Sequence, residues 1–67
     1  MKVARVTEII SASEKSFEDA VKVGVSRATK TLKNVTGAWV KDQKVAVAKG
    51  KITEYRVVLK VTFILEN

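Results

Sequence analysis

The feature that most constrains the fold is a regular alternation of apolar and polar side chains between Ile52 and Leu65. The apolar members are Tyr55, Val57, Leu59, Val61, Phe63 and Leu65. A period of two is typical of a β-strand with one face in a core and the other largely in water. An apolar strand face of this length needs a second layer of structure to cover it.

A helix upstream supplies that layer. Its apolar stripe has spacings of three and four and consists of Phe17, Ala20, Val21, Gly24, Ala28, Leu32 and Val35. This pattern predicts an amphipathic helix that runs to about Asn34. Ser11 and Glu14 have the spacing of a capping box, and Ser13 is a second candidate for the N-cap. Gly24 within the stripe indicates a close approach of the helix to the sheet.

Two more strands complete the predicted fold. Residues 2–10 and 37–47 alternate, and Lys49-Gly50 between the second and third strands is typical of a hairpin turn. The order is therefore β-α-β-β. We expect an α+β fold with a three-stranded antiparallel sheet in the order 1-3-2, because the third strand has the strongest core face. One helix packs on one face of that sheet.

The 67 residues are expected to form a single domain, 1–67. A chain of 7.4 kDa buries only about 60% of its unfolded surface. It has no cysteine or histidine for a disulfide or an ordinary zinc site. Simple alternation leaves Trp39, Val45 and Val47, or their neighbours if the register differs, on the sheet face opposite the helix. We therefore expect self-association to complete the fold.

Composition also narrows the class of function. The formal net charge of +6 favours acidic partners such as nucleotides or phosphorylated cofactors, although a mixed surface charge also serves solubility. The chain has neither a membrane-length apolar run nor a signal peptide, so we expect a cytoplasmic protein that does not bind membranes.

Catalysis and nucleic-acid binding have little support. Without histidine, cysteine or a GxSxG turn, nucleophilic catalysis is not expected, and no glycine-rich phosphate loop is present. The chain is therefore expected not to be an enzyme. Nucleic-acid binding ranks last among the functions, since both an RNP-like aromatic motif and a recognition helix are missing.

Four residues are candidates for binding. The indole of Trp39 either fills an interface between protomers or offers a flat face to a flavin or a base. Lys41 follows on the same predicted face, where it can meet a phosphate. Arg56 is either a phosphate-binding fork or half of a surface ion pair. Asp42 either pairs with a lysine or joins symmetry copies in a ring of acids that holds Ca²⁺ or Mg²⁺.

The chain resembles the dodecin family over essentially its whole length, without a gap. The matching segments are Ser13–Phe17, then Asn34-Val35 with Ala38, Val40, Asp42 and Gln43, then Glu54–Arg56 and Val61–Glu66. The resemblance implies a βαββ protomer and a hollow homododecamer. It also implies a storage protein that sequesters riboflavin, FMN or a related phosphorylated aromatic molecule.

The resemblance also implies where a flavin binds. Dodecins stack the isoalloxazine on a tryptophan at the start of the second strand and bind its edge through a glutamine in the third. The ungapped match puts Gly37 at the tryptophan position and Arg56 at the glutamine position. Trp39 is then the candidate stacking residue, shifted by two positions, with Lys41 beside it. The alternative is a structural or cation-binding cage that has lost flavin binding, with Ca²⁺ or Mg²⁺ held at Asp42, which matches an acidic family position.

Overall fold

The computed structural model describes residues 2–65, which form one helix and three strands. In chain order the elements are β1 (Val3–Ser13), α1 (Phe17–Thr31), β2 (Val35–Ala48) and β3 (Lys51–Leu65). The strands form one antiparallel sheet in the order β1-β3-β2, and α1 packs on one of its faces. The β-α-β-β topology, the strand order and the single covering helix confirm the predicted fold class.

The core lies between α1 and the middle of β3. Val57, Leu59 and Val61 are fully buried there, against Ala20 and Ala28 of the helix. Six partly buried side chains surround this cluster: Ile9, Phe17, Val21, Val25, Leu32 and Val35. The sheet side that carries the buried β3 residues is called the helix face below. Burial of Val57, Leu59 and Val61 confirms that the alternating apolar residues in the middle of β3 face the helix.

The helix begins later than the capping-box spacing predicts. Ser11 and Ser13 both belong to β1, whose pairing with β3 continues to Ser13. The N-cap is Ser16, whose hydroxyl accepts a hydrogen bond from the Asp19 amide at 3.0 Å. Ser13 instead ties the strand to the helix, because its hydroxyl donates to Asp19 Oδ2 at 2.6 Å and accepts from the Lys15 amide at 2.9 Å. The predicted caps were wrong because cross-strand pairing prevailed over the local signal.

The helix also ends before Asn34. Its last residue is Thr31, and Asn34 has a left-handed backbone with φ of 60° that turns the chain into β2. As a result, Val35 lies in a strand rather than in the helical stripe. The predicted hairpin turn between β2 and β3 is confirmed. Lys49 and Gly50 have φ of 54° and 75°, as the two central residues of a type I′ turn require.

Strand β2 does not alternate simply, because its pairing with β3 is irregular at three points. One shift lies between Val40 and Asp42. It puts Asp42 on the same side as Trp39, whereas Val45 pairs with Tyr55 on the helix face. The prediction that Val45 lies opposite the helix was therefore wrong. A bulge adds one unpaired residue and reverses the facing of the residues that follow it.

The protomer is elongated, with extents of 51 × 18 × 14 Å. A 15-residue strand such as β3 spans roughly 50 Å. A helix of 15 residues reaches only about 22 Å. One helix therefore covers less than half the length of the sheet. The radius of gyration, 13.8 Å, exceeds the roughly 11 Å of a compact domain of this length.

Candidate functional site

The candidate site lies on the sheet face that α1 leaves uncovered, called the outer face below. By strand register it carries Glu8, Gly37, Trp39, Asp42, Arg56 and Lys60. Trp39 of β2 and Glu8 of β1 are both cross-strand partners of Lys60, so the three residues form a row across the sheet. Trp39 is 51% exposed. The protein thus presents about half of its only indole to its surroundings on this face.

The Trp39 ring has a cation on one side and open space beside it. Lys60 Nζ lies over the ring, 5.7 Å from the ring centroid, within the range of a cation–π interaction. Gly37 pairs with Thr62 on the same face, next to the Trp39–Lys60 pair. A Cβ built on Gly37 would meet no atom within 4 Å. The structure therefore brings Gly37 and Trp39 together, as the alternation predicts.

The two basic residues put forward from the sequence are already paired with acids. Lys41 Nζ reaches across the sheet to Glu8 Oε1 at 3.3 Å, and both side chains are about half exposed. Arg56 Nε donates to Glu54 Oε1 at 2.7 Å. Arg56 also lies four residues from Lys60 along β3, a separation of about 13 Å. Within one protomer, the structure does not bring the Arg56 backbone next to Trp39.

Asp42 is exposed on the outer face opposite Val58. Its Oδ1 accepts a hydrogen bond from the Gln43 amide at 3.1 Å. Within residues 2–65, Asp42 forms no ion pair, so pairing with Lys44 is not observed. The same part of the chain has no group of three or more His, Cys, Asp or Glu side chains placed to hold a metal ion. One protomer alone therefore offers Asp42 as a single carboxylate ligand.

Sequence reasoning missed Lys60 and Glu8 as members of this site. Both lie on polar positions of their strands, where a solvated surface is the ordinary interpretation. Their proximity to Trp39 depends on how β1 and β2 align with β3. The third-strand alternation puts Lys60 on the correct face, but no local pattern gives the register that pairs it with Trp39.

Apolar side chains on the outer face also lack a cover in the protomer. Val6 and Ile10 of β1 are 46% and 67% exposed. Near the hairpin, Val47 pairs with Ile52, and these two are 61% and 52% exposed. The protomer therefore exposes apolar side chains that α1 does not cover. No helix within residues 2–65 has the length and hydrophobicity needed to cross a membrane.

Comparison with known proteins gives a consistent result. The sequence profile of the dodecin family matches residues 3–66. The dodecin of Thermus thermophilus is 35% identical over 66 residues, which cover 98% of this chain and 96% of that protein. A crystal structure of a mutant of T. thermophilus dodecin is similar with a TM-score of 0.93, at 34% identity and with both chains covered completely.

A second solved structure that is similar to this chain is that of a calcium-binding protein. It is calcium dodecin from Mycobacterium tuberculosis, a calcium-chelating immunodominant antigen with a novel calcium-binding site. Its TM-score is 0.84 at 37% identity, with 96% of this chain and 91% of that chain covered. The family profile and the full-length relatives agree with the fold, and this chain belongs to the dodecin family.

Proposed function

We propose that this protein binds a planar aromatic ligand of the flavin type, riboflavin or FMN, and stores it without converting it. The observation that carries the proposal is the half-exposed Trp39 ring beside the open space at Gly37. An indole face in this position can stack on a flat heterocycle, as aromatic side chains stack on nucleobases. The site lies on the sheet face that the helix does not cover.

The residues of the site fit a flavin that stacks on an aromatic ring better than one whose ring edge is bound by hydrogen bonds. Trp39 is two residues from Gly37, so its ring starts about 7 Å further along the strand. Arg56 can donate hydrogen bonds but cannot accept them, and Glu54 already occupies its Nε. We therefore propose that the affinity of the protomer for flavin comes from stacking on Trp39. Arg56 does not recognise the flavin edge, and Lys41 is already paired with Glu8.

The storage proposal includes self-assembly of the single domain formed by residues 1–67. The chain exposes 5167 Å², whereas a compact protein of its mass exposes about 4,200 Å². Exposed apolar residues on the outer face and near the hairpin account for part of the excess. Copies of the same chain that pack on these surfaces would bury them, and the family resemblance makes the proposed assembly a hollow dodecamer.

A second candidate function is a cage that holds a divalent cation. Calcium binding by the M. tuberculosis relative supports this candidate, as does the exposed carboxylate of Asp42, which has no ion pair within residues 2–65. Ca²⁺ takes six to eight oxygen ligands, and Mg²⁺ keeps several waters. One Asp42 cannot supply such a set, so this function requires several copies to bring their Asp42 carboxylates together around an axis.

Titration of riboflavin and FMN with the assembled protein at low salt tests the proposal. We expect flavin fluorescence to fall and to saturate at a fixed ratio of flavin to subunit. Trp39→Ala should weaken binding roughly ten- to a hundredfold, whereas Trp39→Phe should retain most of it. No quenching by the wild-type protein, together with Ca²⁺ binding that Asp42→Asn abolishes, would overturn flavin storage in favour of the cation cage.

A further inference from the structure

We infer that Lys60 determines the ligand specificity of the Trp39 site, and that it selects a phosphorylated aromatic ligand over a neutral one. This inference rests on the proposed function and goes further, because it assigns the charge of the ligand and the residue that reads it. Three observations carry it: the position of the Lys60 ammonium, the pairing of the neighbouring cations, and the space at Gly37.

The Lys60 ammonium lies at the stacking surface. Its Nζ lies 5.7 Å from the centroid of the Trp39 ring, and the two residues are cross-strand partners. Because the indole quadrupole attracts the cation, positions of the ammonium near the ring are favoured. A heterocycle that stacks on the remaining exposed part of Trp39 therefore lies beside a positive charge.

Lys60 also differs from Lys41 and Arg56, because no acid forms an ion pair with it within residues 2–65. Lys41 is paired with Glu8, and Arg56 is paired with Glu54. Glu8 is the acid directly across from Lys60 on β1, yet its Oε1 binds Lys41. Within residues 2–65, Lys60 forms no ion pair. An anionic group on the ligand would supply the missing partner in a charge-assisted hydrogen bond.

The open space at Gly37 gives a phosphate a place to lie. Gly37 pairs with Thr62 next to the Trp39–Lys60 pair, so a side chain at this position would lie beside that pair. Nothing lies within 4 Å of a Cβ built there. The open space at Gly37 therefore leaves room for a phosphoryl group that extends from a stacked ring on the side of the Trp39–Lys60 pair.

The size of the effect follows from the exposure of the site. Lys60 is only partly buried, so its charge still interacts with water and salt, and exposed pairs of charges contribute up to about 1 kcal/mol. This corresponds to roughly a fivefold difference in affinity between FMN and riboflavin, whose rings are the same and whose charge differs. The preference should decrease when ionic strength rises, because salt screens exposed charges.

The test is a parallel titration of FMN and riboflavin with the assembled wild-type protein, Lys60→Gln, Lys60→Arg and Lys44→Gln. We expect the wild type to bind FMN about fivefold more tightly. In Lys60→Gln the ratio of the two affinities should fall towards one, and Lys60→Arg should restore it. Lys44→Gln is the matched control, because it removes an equal charge from the outer face opposite Arg56, and it should keep the wild-type ratio.

The outcomes separate this inference from the function on which it rests. Equal affinities for FMN and riboflavin in the wild type would overturn the role of Lys60 and leave flavin storage intact. A ratio that falls equally in Lys60→Gln and Lys44→Gln would also overturn it, since general surface charge would then explain the preference. Failure of the wild type to bind either flavin would overturn the proposed function itself.

Discussion

Gly24 of α1 lies against Leu59 of β3 so closely that the helix has no room for a side chain at position 24. A Cβ built there would come within 2.7 Å of Leu59 Cδ1 and 2.9 Å of Ser11 Cβ. Leu59 is fully buried and Ser11 nearly so, which limits how far either can move. The glycine that weakens the helix in isolation thus allows it to approach the sheet, as its place in the apolar stripe predicts.

Gly24→Ala should therefore destabilise the protein. Overpacking costs about 1–3 kcal/mol, which equals or exceeds the helix propensity gained, about 1 kcal/mol, so the net loss is up to about 2 kcal/mol. We expect a lower thermal midpoint at fixed protein concentration, by up to about 16 °C. Gly37→Ala is the control, because a Cβ at Gly37 meets nothing within 4 Å. Equal midpoints for the two variants would show that the helix can move away from the sheet without loss of stability.

The N-cap of α1 gives a second stability prediction. Ser16→Ala removes the acceptor of the Asp19 amide and should lower the free energy of unfolding by about 1 kcal/mol. Ser16→Asp should retain most of it, because a carboxylate accepts the same bond. Ser26→Ala, on the exposed side of the helix, is the matched control and should change little. If denaturant unfolding gave Ser16→Ala and Ser26→Ala the same stability, Ser16 would not be the functional cap.

The proposed self-assembly predicts that a charge on the exposed hairpin impairs association. Val47 is 61% exposed in the protomer, so Val47→Asp should not disturb the core of a single chain. If copies bury this surface, the variant should form smaller species in analytical ultracentrifugation. Its melting temperature should also depend more strongly on protein concentration.

Ser26→Asp serves as the control. It adds the same charge on the solvent-exposed side of α1, between Lys22 and Lys30. We expect it to assemble like the wild type. An obligate oligomer would be contradicted if the wild type, Val47→Asp and Ser26→Asp all had the same sedimentation coefficient. Their melting temperatures would then also be equal and would not change with protein concentration.

The parts of the fold that depend on long patterns could be predicted from sequence. The alternation along β3 gives its helix face correctly, and the positive φ expected at Gly50 gives the hairpin. The boundaries of α1 could not be predicted, because Ser13 pairs with β3 while its sequence context is that of a helix cap. The bulge between Val40 and Asp42 depends on the partner strand, so alternation alone misplaces the second half of β2.

For the candidate site, the sequence predicts which residues share a face with Trp39 along β2, but not which residues of the other strands lie next to it. Trp39 is the only indole in the chain, and strand periodicity puts it on the same face as Gly37. The pairing of Lys41 with Glu8 and the position of Lys60 over the ring are long-range relationships. They follow from the antiparallel register of three strands, which is not encoded by any local segment.

The most direct test of the account is a titration of the wild-type protein with FMN that follows two signals at once. Because Trp39 is the single tryptophan, indole emission reports on this site alone. We predict that FMN emission and Trp39 emission are quenched together, with one midpoint and one stoichiometry. Quenching of FMN without any change in Trp39 emission would place the flavin elsewhere, and it would contradict the claim that the ligand stacks on Trp39.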